Sequence, residues 1–81
     1  MQALDVLSEV LLEADSKAKM QNLLRGLLTK SEAQEFATRI KLVRLLKKGV
    51  GQHEIAKRLN VGVATVTRGS KEIQLGNFKY V

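Results

Sequence analysis

The residues best placed to do chemistry fall in one ten-residue stretch, VGVATVTRGS at positions 61–70. Two hydroxyl residues, Thr65 and Thr67, and one guanidinium, Arg68, stand there among short side chains. Hydroxyls, backbone N–H groups and guanidinium groups are the donors that meet phosphate oxygens, and Ala and Thr methyls match the thymine methyl in the major groove. Arg68 can serve a phosphate, a base or an anionic ligand, and residue type alone does not choose among them. Catalytic chemistry has little to draw on. His53 is the single histidine, cysteine is absent, and neither Ser16 nor Ser70 has a base nearby in sequence. Gly49-Val50-Gly51 reads as a turn between helices, not a phosphate loop. We expect no enzyme, no catalytic residue and no metal site. His53, on a polar helix face, reads as a solvent or phosphate contact.

These residues need elements to hold them. The run QHEIAKRL-NVG-VATVTRGS from Gln52 has the grammar of a helix-turn-helix. A short helix turns Ile55, Ala56 and Leu59 inward, and a tight turn at Asn60-Val61-Gly62 leads to a second helix with Val63 and Val66 inward. Asn60 takes the place where glycine is commonest, because asparagine tolerates positive φ. Gly62 stands at the second helix's N-cap. A recognition helix enters the major groove with its N-terminal end, where small side chains let the backbone approach. The expected DNA-contacting set is therefore Gly62, Val63, Ala64, Thr65, Thr67 and Arg68, with His53, Lys57 and Arg58 on the preceding helix as phosphate contacts. The competing reading is a helical hairpin in a small bundle.

The 14 Lys and Arg residues outnumber the 8 Asp and Glu, for a net charge of +6. Residues 1–34 are close to neutral, and the positive excess lies in residues 35–81. That asymmetry suggests a structural part joined to a polyanion-binding part. At 81 residues the chain is expected to be one domain or part of one, not two. A chain this short buries only about 60% of its unfolded surface, and without disulfide or metal the remaining support is a second copy of itself. The acidic start MQALDVLSEVLLEAD is unlike a secretory signal and no apolar run reaches membrane-span length, so a cytoplasmic protein without a membrane partner is expected.

Upstream, Leu4, Leu7, Val10, Leu11 and Ala14 recur at helical spacing and predict a first helix over about 2–14. Asp15-Ser16 breaks it, and a second helix follows through Met20, Leu23, Leu24, Leu27 and Leu28, weakened near its end by Gly26. Thr29-Lys30-Ser31-Glu32 has the capping-box form, so a third helix starts there and stops at Gly49. Its apolar positions Phe36, Ile40, Val43 and Leu46, flanked by Leu42 and Leu45, make a face wider than one short helix covers. This favours an all-α homodimer: a helical dimerisation part over 1–48, the helix-turn-helix reader over 52–70, and a short tail over 71–81 with two aromatics able to dock. The alternative function is a small basic helical protein-interaction adaptor or a nonspecific nucleic-acid binder.

The segments LLTKSEAQEFATRIKLVRLLKKG and EIAKRLNVGVATVTRGS together resemble the Trp repressor family of bacterial transcription regulators. The most specific words are Ala37-Thr38-Arg39 and ATVTRGS at 64–70, and the likeness covers about residues 22–72. The resemblance implies an all-helical intertwined homodimer that binds operator DNA as duplex, with L-tryptophan as co-repressor. It further implies that Arg39 and Arg68 lie on either side of an indole ring, that Arg68 meets the ligand carboxylate, and that Gly69 leaves room for the ring. Thr29 and the carbonyls near Gly26 and Leu28, from the other subunit, would border the amino group. Two guanidinium planes suit an aromatic ring with a carboxylate. The sequence departs from the family's pattern in a link after Gly49 that is one residue shorter, in Glu72 where a small hydroxyl residue is usual, and in stopping at Val81 before the family's closing helix.

Overall fold

Each helix boundary has a local cause. In the computed structural model, which describes residues 2–81, α1 spans Ala3–Glu13, α2 Lys17–Leu27, α3 Lys30–Lys47, α4 Gln52–Leu59 and α5 Val63–Gln74. The described residues contain no strand. Ser16 caps α2 by accepting a hydrogen bond from the Lys19 N–H at 3.1 Å. The capping box forms as expected: the Glu32 N–H donates to Thr29 Oγ1 at 3.1 Å, and the Thr29 N–H donates to Glu32 Oε1 at 2.9 Å.

Three helices end on the same device. Gly49 takes φ 86°, its N–H donates to the Leu46 carbonyl, and the Val50 N–H reaches back to Leu45, which closes α3 in a Schellman motif. Asn60 repeats it at the end of α4 with φ 54°, its N–H on the Lys57 carbonyl and the Val61 N–H on Ala56. Gly76 repeats it after α5 with φ 94° and the pairs Gly76–Ile73 and Asn77–Glu72.

The chain divides into two units, Met1–Ala33 and Gln34–Val81. In the first, Leu11, Met20, Leu23 and Leu24 are half-buried, whereas Leu4, Leu7, Val10 and Leu27 of the same expected stripes are exposed, and neither α1 nor α2 contains a buried residue. Leu4 is 78% and Leu12 84% exposed.

The second unit carries the core. Leu42 and Val43 of α3, Ile55 and Ala56 of α4, and Val66 of α5 are buried together, with Leu45, Leu46, Leu59, Ile73 and Phe78 packed around them. Ala56 is the short residue that lets helices cross closely. One inward expectation fails. Val63 remains exposed because it opens α5, about 90° of helical rotation from the apex set by Val66, Gly69 and Ile73. Phe36 and Ile40, on the part of the apolar face expected between subunits, are exposed in the single chain, since the α3 positions that face α4 and α5 are Leu42, Val43 and Leu46. The third helical element of this unit is longer than expected, as α5 runs past Ser70 to Gln74. Of the two tail aromatics Phe78 docks on the core, whereas Tyr80 is 92% exposed.

Candidate nucleic-acid interface and ligand pocket

α5 presents two surfaces besides its buried one. With Val66, Gly69 and Ile73 inward, helical rotation of about 100° per residue puts Ala64, Thr67 and Lys71 on the opposite face. All three are exposed, as are Gly62 and Val63 at the start of the helix. Small residues at this end leave its free backbone N–H groups open, the arrangement that receives phosphate at a helix N-terminus. Thr67 Oγ1 lies 2.7 Å from Gln52 Oε1 and 3.0 Å from the Val63 carbonyl, so its hydroxyl proton is held within the protein and its oxygen keeps acceptor capacity.

On α4, His53 and Lys57 are exposed on the side opposite Ile55 and Leu59. Arg58 differs from them, because its Nε donates to Glu54 Oε1 at 2.9 Å in an i,i+4 ion pair. Such an exposed pair is worth about 0.3–0.5 kcal/mol, weak enough for a phosphate to displace.

Two residues outside the expected set share this surface. Lys71 follows Thr67 by four positions on one helix face, a relation that the helical period carries but that ending the reader at Ser70 hides. Gln52 opens α4 and reaches Thr67 across fifteen positions of sequence, a contact that no local pattern announces.

The flank of α5 carrying Thr65, Arg68 and Glu72 turns instead toward α3. There it lines a cavity of about 390 Å³ together with Arg39, Leu42, Gly69, Asn77 and Phe78. Arg39 and Arg68 thus meet in one pocket, and Thr65 borders the pocket as well as the start of the reading helix. Arg39 pairs with no carboxylate among the described residues; its guanidinium carbon lies 5.4 Å from the centroid of the Phe36 ring. Glu72 accepts a 2.6 Å hydrogen bond from Asn77 Nδ2. The pocket therefore has two guanidinium groups, an apolar floor and one carboxylate tied to an amide.

Gly69 has a more immediate role than leaving room for a ring. A Cβ built on it would overlap Leu42 Cδ1, so the missing side chain is what lets α5 lie against α3. The remaining expected ligand residues belong to the first unit. Leu28 and Thr29 line a groove with Leu24, Arg25, Lys30 and Ala33. Gly26 is exposed in the last turn of α2, with open space where a Cβ would point. Among the described residues no group of His, Cys, Asp or Glu could hold a metal ion, and no helix is long and apolar enough to cross a membrane.

In class this is an all-α protein with a helix-turn-helix formed by α4, the Asn60 turn and α5. The family model described as Trp repressor protein matches residues 2–81, and the chain belongs to that family, whose members are transcription regulators and not enzymes. Curated relatives called Trp operon repressor homolog are similar to it. That of Xylella fastidiosa strain M23 is 34% identical over 79 residues, covering 96% of this chain and 86% of the relative. That of Pasteurella multocida strain Pm70 is 42% identical over 67 residues, 82% of this chain and 66% of its own length. That of Vibrio vulnificus strain YJ016 is 44% identical over 54 residues, 65% of this chain and 53% of its own length. No solved structure gives a significant match to the chain.

Proposed function

We propose that this chain is a sequence-specific repressor that binds duplex operator DNA as an intertwined homodimer, and that a small aromatic carboxylate, L-tryptophan first among them, controls it. The observation that carries the reading is the division of labour on α5. One face offers Ala64, Thr67 and Lys71 to a groove, while the adjacent flank closes a pocket over Arg39 and Arg68. A ligand in that pocket bears directly on the helix that reads DNA. The DNA-facing set is Gly62, Val63, Ala64 and Thr67, with Thr65 and Arg68 shared between that end of α5 and the pocket flank, and His53, Lys57 and Arg58 toward phosphates; the ligand set is Arg39, Arg68 and Gly69, completed by Gly26, Leu28 and Thr29 of the other subunit.

The dimer is supported by apolar surface. Helices α1 and α2 bury no residue, and Phe36 and Ile40 are exposed on α3. A second copy that covers these side chains stabilises the pair by about 1.5–3 kcal/mol for each large one fully buried.

Selection of bound sequences from random duplex DNA, with and without L-tryptophan, tests the reading. A palindromic preference with half-sites about one helical turn apart, and affinity that falls steeply with salt, is the expected result. Affinity in the micromolar range that is indifferent to sequence would instead identify a nonspecific nucleic-acid binder. No DNA affinity at low salt would leave the protein-interaction adaptor. Sedimentation at micromolar concentration gives the mass, expected at twice 9.0 kDa.

A further inference from the structure

One wall of the α5 pocket comes from neither α3 nor the helix-turn-helix. It comes from the turn after α5, and it is aromatic. Phe78 lines the cavity with Arg39 and Arg68, and its half-buried ring packs on the core. Its backbone is held at φ 58°, a region that residues other than glycine occupy only when their surroundings hold them there. Those surroundings are visible. Lys47 Nζ, in the last turn of α3, donates to the Phe78 carbonyl and, at 3.1 Å, to the Val81 carbonyl. Asn77, the preceding residue, is tied to Glu72 through both its backbone N–H and its side chain. Tyr80, two positions on, is left in solvent. The turn is therefore built to deliver one particular ring.

We infer that Phe78 is a specificity-determining residue of this pocket, and that Lys47 positions it. The inference rests on the ligand reading proposed above and assigns what that reading leaves open. Arg39 and Arg68 supply charge that any carboxylate satisfies, and guanidinium planes that can lie against a ring face. A planar ring is further told from an aliphatic side chain by an aromatic surface that it can meet edge-to-face or offset. The other apolar lining is Leu42 and the Cα of Gly69, neither of which makes that distinction. Phe78 thus adds to the preference for aromatic over aliphatic amino acids, while the arginines hold the carboxylate and border the ring.

Calorimetry on the full chain, with L-tryptophan and L-leucine as probes, tests this. The wild type is expected to favour L-tryptophan. Phe78→Ala lowers tryptophan affinity about tenfold, the scale of one lost aromatic pair, and the tryptophan-to-leucine ratio collapses. Phe78→Leu keeps apolar packing on the core and still loses the ratio, which separates recognition from a folding defect; Phe78→Tyr retains it. Lys47→Met speeds amide exchange over 76–80 and weakens tryptophan binding with little change for leucine, and Tyr80→Ala changes neither. A wild type that binds tryptophan, with Phe78→Leu binding it equally well and with the same ratio, overturns the assignment of Phe78 alone. A wild type that binds neither probe at millimolar concentration overturns the ligand reading, and this inference with it.

Discussion

Replacing Gly69 by alanine sets two effects of known sign against each other. Within a helix interior, Gly→Ala gains about 0.5–1 kcal/mol from backbone entropy and propensity. Gly69 lies in the middle of α5, so that gain applies. Against it stands the new Cβ, which would overlap Leu42 Cδ1, while the next atoms, Leu46 Cδ1 at 3.7 Å and Leu42 Cγ at 3.8 Å, are at ordinary contact. The whole conflict is with one methyl group. A surface leucine would swing aside, but Leu42 has no exposed area and is packed among Val43, Ile55 and Val66, themselves fully buried. Overpacking of this kind costs about 1–3 kcal/mol. The net expectation is a loss of about 0.5–2 kcal/mol in urea unfolding, without any ligand present and at fixed protein concentration. Leu42→Val removes the offending methyl for about 1 kcal/mol of lost burial. In that background Gly69→Ala should stabilise, and the double-mutant cycle should show coupling of about 1–3 kcal/mol. Gly69→Ala that stabilises the wild type would refute the close packing of α5 on α3 at this point. An equal loss in both backgrounds would show that glycine is needed for something other than Leu42.

Asn60→Ala should cost about 1–2 kcal/mol because the residue is held at φ 54°, whereas Asn60→Gly should be tolerated; thermal melts of the two variants decide it. Thr29→Ala removes the acceptor for the Glu32 N–H and should cost about 1 kcal/mol, with little further loss on adding Glu32→Ala, since both side chains serve one capping box. Lys71→Ala should weaken DNA binding about equally for all sequences and reduce the salt slope by about 1, read by titration at several salt concentrations. Ala64→Leu should abolish sequence preference while leaving the melting temperature within a few degrees, because Ala64 points away from the core.

What the sequence determined by itself depends on contacts within about six residues. The capping box at Thr29, the stop at Gly49 and the left-handed turn at Asn60 are all of this kind. Each is a hydrogen-bond or φ requirement that a residue meets or fails locally, so residue type and spacing disclose it. The inward positions Val43, Ile55, Ala56 and Val66 are legible for a related reason, as helical periodicity is a local property. Only resemblance pairs Arg39 with Arg68 at a ligand, and their meeting in one pocket is a tertiary fact.

Tertiary structure decided the rest. Whether Val63 or Phe36 is covered depends on where along each helix the crossing falls, and a periodic stripe marks a face without marking its length. The Thr67–Gln52 hydrogen bond spans fifteen positions and the Lys47–Phe78 contact thirty-one, separations at which spacing carries no geometric information. Gly69 shows the limit most clearly. The sequence told that a side chain was missing there, but only the packing of α5 on α3 identified Leu42 as the group that occupies the space, because that contact exists only once the two helices have met.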